Sequence, residues 1–353
     1  MAANAITFNA DSYAKKSYAN FQQVLRASNA LDIASLGLSR SVDTLTYLIK
    51  DILETKYYTA PSPLTDYVQI NASGEGAYMK DIVQLTEANL SSTFEECTIN
   101  PFSTGIHNNA TADVALDSIQ QRNNFYRQSY SISHEEQMSA GRNLIPYNII
   151  DGKERSRAKN WQLGIQDVMF LGRTGDADRT MGLLNQTEVT ADTSLFPVSF
   201  ENMTPEQLNS WVATVLNAYG ANNNYNFKPD RMFLPTKMYY ALGRQVNPNF
   251  PIKNVRQMIE ETFRDELAND FKILHANYGD TMGNKNLGRA VLYNHDAENV
   301  VMHTPVVYTP MPLFPQNSLD MISQAMGQYT GVWVKRPTTM LYMDVQAATN
   351  PTA

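Results

Sequence analysis

The clearest apolar periodicity lies at residues 204–219, TPEQLNSWVATVLNAY. Leu208, Trp211, Val212, Val215, Leu216 and Tyr219 share one broad face at helical spacing. Thr204 stands where an N-cap belongs, Pro205 at the first helical position and Gln207 where a capping box closes. Gly220 is expected to end this helix. A second helix is predicted from Asp151, with Asp151 as N-cap and Glu154 completing its capping box. Its inner stripe is Ala158, Trp161, Ile165 and Val168. Lys153, Arg155, Arg157 and Lys159 mark its first turns as solvated or facing a partner. Gly172 follows the last turn, where a residue with left-handed backbone is expected. Gly164 in its middle costs about 1 kcal/mol against alanine, so packing must support this helix.

Further helices are predicted at 42–55, through Leu45, Leu48, Ile52 and Leu53, and at 254–267, through Val255, Met258, Ile259, Phe263 and Leu267. Strands are expected at 231–235, 271–275, 289–294 and 299–303, with a short helix at 236–242. The residues from Asn294 to Glu298 read as the turn of a hairpin between the last two of those strands. Two more β-prone runs, split by Pro337, lie in GVWVKRPTTMLYMD. Between 64 and 135 the pattern changes to short β-prone pieces, DYVQI, AYMKDIVQL and FYRQSYSIS. They flank a turn-rich stretch, STFEECTINPFSTGIHNNATADVALD. This reads as a long hairpin or extended loop with little core of its own, a segment used for contact with something else. Residues 1–40 read as an extended arm. No internal repeat or heptad pattern is present.

Composition narrows the classes. Charged residues make up 18% of the 353 positions, against roughly 25% in typical soluble proteins. Such a surface fits extensive coverage by partners. The net charge of −7 and the lack of a Lys/Arg stripe disfavour tight nucleic-acid binding. No stretch of about 18 apolar residues exists to span a membrane, and the first residues lack the apolar core of a signal peptide. Cys97 is the only cysteine, which excludes an intramolecular disulfide and fits folding in a reducing cytoplasm.

Candidate chemistry is thin. The loop GRTGDADRTMG at 172–182 follows a helix C-terminus, where the macrodipole repels phosphate, and contains no Gly-Lys-Ser/Thr. Asp176 and Asp178 begin like a calcium loop, but Arg179 and Met181 follow and no Glu closes it. A structural turn is the better reading, with Arg173, Asp176, Asp178 and Arg179 as a solvated face or subunit contact. His134-Glu135-Glu136 resembles the start of a zinc motif, yet Met138 stands where the second histidine is needed. The histidines at 107, 134, 275, 295 and 303 have no ligand spacing. Cys97 sits in the turn-rich stretch, a poor place to preorganise a nucleophile. No catalytic, cofactor-binding or metal-ligating residue is therefore assigned, and no cofactor is expected. The residues describe an α+β protein with a loose arm and a long β protrusion, built more like an assembling subunit than an enzyme.

The order of segments resembles tailed-phage major capsid proteins of the Hong Kong 97-like fold, which encapsulin shells share. The resemblance is carried by residues 154–190 with the phrase GLLN, by TPEQLNSWVATVLNAY, by FKPDRMFLPTKMYYAL at 227–242 and by PLFPQNSLDMISQAMGQYTGVWVKRPTTMLYMD at 312–344. It implies a structural protein whose pentamers and hexamers form an icosahedral shell around phage double-stranded DNA. It implies an N-terminal arm and short helix at 1–60, and a P-domain part at 61–190. That part would hold an extended E-loop hairpin (about 74–135) and a long spine helix (about 151–171). An A-domain at 191–318 and a return to the P-domain at 319–353 complete the layout. The implied partners are further copies of the chain, with portal, scaffolding and decoration proteins, in a virion capsid assembled in the bacterial cytoplasm. The first 40 to 60 residues are short for a cleavable scaffolding region, which points to a separate scaffold or arm-guided assembly. An encapsulin-type nanocompartment is the alternative, with FQQVLRASNALDIA at 21–34 as a cargo-docking helix. An enzyme with an unrecognised site is the remote one.

Overall fold

The computed structural model describes residues 55–88, 114–140, 148–175, 179–196, 200, 203–244, 254–267, 270–283 and 287–345. The expected helix at 42–55, except for its last residue, lies outside them, as do Cys97 and His107. All elements below belong to the compact unit Tyr57–Ala353.

The chain opens with α1 (Leu64–Tyr67) and β1 (Gln69–Asn71), so DYVQI is a helical turn followed by a strand. Next come β2 (Asp81–Ala88), β3 (Ala115–Arg122), β4 (Asn124–Ser133), α2 (His134–Ala140) and α3 (Ile149–Leu171). A two-residue strand β5 (Ala191–Asp192) precedes α4 (Pro205–Asn222), β6 (Arg231–Pro235), α5 (Thr236–Ala241) and α6 (Val255–Leu267). The remainder is β: β7 (Lys272–Ala276), β8 (Arg289–Tyr293), β9 (Val300–His303), β10 (Val306–Pro310), β11 (Phe314–Pro315), β12 (Asp320–Tyr329), β13 (Val332–Val334) and β14 (Met340–Asp344).

A five-stranded sheet, ordered β5-β14-β8-β6-β7, forms the middle layer. Side chains alternate across a strand, and here both faces are apolar. Phe233, Leu274, Val291, Tyr293, Met340 and Tyr342 pack in one cluster with Trp161, Ile165, Val168, Met169 and Phe170 of α3. Their sequence neighbours Met232, Leu234, Ile273, Leu292, Leu341 and Met343 pack in a second cluster with α4 and α6. Burial on both faces explains why these strands read as unbroken apolar runs rather than alternating ones. A three-stranded sheet, β1-β9-β13, adds to the first cluster through Ile70, Met302 and Val332. A further sheet, β10-β12-β11 with β4 on the other side of β12, is held by a continuous ladder from Asp320↔Ser133 to Tyr329↔Asn124.

Several local expectations are corrected. Asn148, not Asp151, caps α3: its side chain accepts from the amides of Ile150 and Asp151 and donates to the Asp151 carboxylate at 2.7 Å. Arg157 is not solvated. It is buried, donates to the Tyr308 hydroxyl at 3.0 Å and to Ser323 at 3.1 Å, pairs with Glu154, and lies over the Tyr130 ring. It ties α3 to the β4–β12 sheet. Gly220 does not end α4, which runs on to Asn222. A Cβ there would come within 2.3 Å of the Tyr225 ring, so the glycine makes room for that exposed side chain to lie against the helix. Asn224 and Tyr225, at φ 54° and 59°, make the turn instead. Finally, β8 and β9 are not a hairpin. β8 pairs with β6 and β14, and β9 with β1 and β13. Asn294 and Asp296 turn the chain through side-chain-to-amide bonds, which send it from one sheet into another.

The Thr204 capping box is present with both of its bonds. Trp211 is buried, packs on Phe196 and Phe200 and donates to the Leu195 carbonyl at 2.8 Å. Replacing it with alanine should cost about 3–5 kcal/mol, whereas Gly164→Ala should stabilise by about 0.5–1 kcal/mol, since a Cβ at Gly164 meets nothing within 4 Å. Urea unfolding of the two variants checks both, and a change of the same sign in each would contradict the packing described.

Candidate functional surfaces

The loop at 172–182 is a structural device. Gly172 lies at φ 71° and ψ −164°, a conformation essentially reserved for glycine. Its φ is positive as expected, although ψ is not that of the usual left-handed cap. A Cβ on Gly172 would stand 2.3 Å from the Thr180 carbonyl oxygen, and one on Gly182 would stand 2.5 Å from the Phe170 carbonyl. The two glycines let the chain fold back against the end of α3. There the last helical carbonyls, which no helix can satisfy internally, receive new donors. Leu183 N–H donates to Met169 O at 2.7 Å, Leu184 N–H to Phe170 O at 3.1 Å, and Asn185 Nδ2 to Leu171 O at 2.8 Å. The phrase GLLN is thus a helix terminator. Arg173 is exposed, but its guanidinium donates to Asn124 Oδ1 at 2.8 Å, and Asn124 donates to the buried Thr180 hydroxyl. Asp176 and Asp178 lie outside the described residues, and Arg179 is exposed.

The other singled-out residues are dispersed. His134 begins α2 and is exposed, and Glu136 pairs with Lys153 of α3 at 2.7 Å. His275 stacks on the Tyr239 ring at 3.8 Å. His295 is buried: its Nε2 lies 2.8 Å from the Thr65 carbonyl, so that nitrogen carries the proton, and Nδ1 accepts from Gln69 Nε2 at 3.2 Å. His303 faces Trp333. Among the described residues no three His, Cys, Asp or Glu side chains gather as metal ligands, and no helix is long and apolar enough to cross a membrane.

What the structure leaves uncovered is β. Among the described residues, strands β2 and β3 pair only with each other, from Asp81↔Arg122 to Ala88↔Ala115. Their register puts Val83, Leu85 and Leu116 on one face, at 51%, 69% and 67% exposure. Burial grows only toward the root, where Gln121 is buried. The β4–β12 sheet likewise exposes Phe125, Val307, Phe314, Leu319 and Met321 on or beside its strands. Sequence reading found the hairpin through its turn-rich insert, but missed β3 as a strand because ALDSIQQR has a polar, weakly alternating pattern.

Against known families, the model described as major capsid protein matches residues 103–345, well over half of the chain. The chain belongs to the major capsid protein family. Solved structures agree in fold. The capsid of Myoviridae phage XM1 superposes with a TM-score of 0.69 at 17% identity, covering 86% of this chain and 98% of that one. A Mycobacterium phage Che8 structure gives 0.54 at 12% identity, with 84% and 96% covered. The capsid of a native GTA particle gives 0.55 at 12% identity, with 89% and 100% covered. No curated protein sequence matches. The fold is α+β and Hong Kong 97-like, and the chain is a structural subunit that self-assembles into the capsid shell of a virion.

In this capsid protein the three described core-side histidines share one electrostatic property. Burial lowers the pKa of His275, His295 and His303 below the usual 6.5, helped by the nearby charges of Arg256, Arg231 and Lys335 respectively. As pH falls through 6.5, the unfolded chain gains protons that the folded chain refuses, so stability is lost. Asp230, whose carboxyl is raised above 3.8 by burial, acts in the opposite sense at lower pH. The melting temperature should therefore drop between about pH 7.5 and about pH 5.5, and His295→Gln should flatten that drop. A melting temperature that rises across this range would contradict it.

Proposed function

We propose that the chain forms pentamers and hexamers of an icosahedral shell enclosing phage double-stranded DNA, without enzymatic activity of its own. The observation that carries this reading is the β2–β3 hairpin, which pairs with no other strand among the described residues and leaves Val83, Leu85 and Leu116 uncovered. An isolated two-stranded hairpin is marginal in water. It gains order by laying its apolar face on a neighbouring subunit, and stability then arises from assembly. Residues 1–60 serve as an N-terminal arm and 61–190 as a P-domain part containing this hairpin and the spine helix α3. Residues 191–318 serve as an A-domain, and 319–353 return to the P-domain. The low charge density and acidic balance suit a wall that surrounds DNA without gripping it. Assembly takes place in the host cytoplasm with portal and scaffolding proteins, and with a decoration protein where the lattice is capped.

Deleting residues 95–112, which lie between β2 and β3 and outside the described residues, should leave a folded subunit that forms no shells. Circular dichroism and negative-stain electron microscopy of the purified protein check this. Normal shells from the deletion would remove the role given to the hairpin. Particle contents distinguish the phage reading, with genome inside, from a nanocompartment carrying a cargo protein.

A further inference from the structure

We propose that Gln328 and Asn123 are positioning residues that latch the root of the β2–β3 hairpin and so set its direction relative to the β4–β12 sheet. The chain crosses from one sheet to the other at a single residue. β3 ends at Arg122 and β4 begins at Asn124, with β3 paired to β2 and β4 to β12. Asn123 between them is buried, and its backbone N–H donates to Lys80 O at 2.9 Å. Its Nδ2 donates to both Gly76 O and Met79 O at 3.1 Å. The second connection to the hairpin is the loop before β2. Three of its residues have positive φ: Gly74 at 80°, Gly76 at 74° and Tyr78 at 62°. Glycine adopts this backbone freely, whereas a tyrosine does so only when held. The holder is Gln328 of β12, whose Oε1 accepts from the Tyr78 amide at 2.7 Å across 250 residues of chain.

The latch is built at a cost to the fold. Gln328 Nε2, Asn123 Oδ1 and Gln121 Oε1 are buried without a hydrogen-bond partner among the described residues, and all three residues sit at this root. Unpaired buried polar atoms destabilise, and so does a left-handed tyrosine. A hairpin optimised for stability alone would use apolar side chains and a glycine here. The polar set instead fixes an angle, because amide hydrogen bonds are directional and apolar contacts are not. Tyr78's side chain is exposed and its bond to Gln328 is half-buried. Gln328→Met removes the unpaired Nε2 together with that bond, so little stability should be lost. This inference rests on the proposed role of the hairpin only for its consequence in the shell; the latch is testable on the subunit.

The test places spin labels at Leu116→Cys on β3 and Lys237→Cys on α5, both exposed, in a Cys97→Ser background of the full chain. Labelled protein is diluted into unlabelled protein and measured by double electron–electron resonance. The parent should give one narrow distance distribution. Gln328→Met should broaden and shift it, with amide exchange at Tyr78 about tenfold faster and the melting temperature unchanged. Tyr78→Asn added to Gln328→Met should restore the narrow distribution, since asparagine tolerates positive φ. Tyr78→Pro, which cannot reach φ 62°, should reproduce the broadening without touching β12. An unchanged distribution in both Gln328→Met and Tyr78→Pro would overturn the latch. So would a broadening that tracks a fall in melting temperature and is not rescued by Tyr78→Asn. A moved hairpin in these variants, alongside normal shells from the 95–112 deletion, would retain the latch and reject the hairpin's role in assembly.

Discussion

Everything in the subunit depends on burying both faces of one five-stranded sheet. A sheet with a single apolar face needs one covering layer, whereas this one needs two. α3 supplies the first, and α4 with α6 supplies the second. The long helix can lie where it does because GLLN returns onto its end and satisfies carbonyls that the core would otherwise strand. β14, distant in sequence from β6 and β7, takes an interior place in the sheet between β5 and β8. The body is therefore closed by contacts distant in sequence.

Closure at the centre contrasts with exposure at the margin. The β2–β3 hairpin and the β4–β12 sheet keep apolar side chains in water, and few charges are available to keep such surfaces apart. In an ordinary monomer this would favour aggregation. On the reading proposed above, contact with further copies consumes these features, and the shell completes a surface that the subunit leaves unfinished.

Buried polar groups mark where parts of the body are registered against one another. Arg157 gathers Glu154, Tyr308 and Ser323 at the seam between α3 and the β4–β12 sheet. His295 gathers Thr65, Gln69 and Asp230 at the seam between α1–β1 and the core. A buried ion pair or imidazole adds little net stability. Its directional bonds do discriminate one docking from a neighbouring one, which matters for a subunit that must present the same surfaces many times over.

The sequence by itself determined what is local. The box of Thr204, Pro205 and Gln207 marks a helix start because its bonds close within four residues, and apolar runs such as RMFLP mark strands because both faces are buried. The ordered set of segments also sufficed to point to the family. Only the tertiary structure decided which strands pair and which polar residues are enclosed. Nothing near Asn294 says that β8 and β9 part company, since their partners lie at β14 and β13. Nothing in the cationic pattern of 153–159 separates Arg157 from its exposed neighbour Arg155, since the difference is made by Tyr308 and Ser323, more than a hundred residues away. Likewise Tyr78 looks like any loop tyrosine until Gln328 is seen to hold its amide. Capping and periodicity are short-range and survive in a sequence window. Strand partnership and the burial of polar groups are set by long-range packing, which a window does not contain.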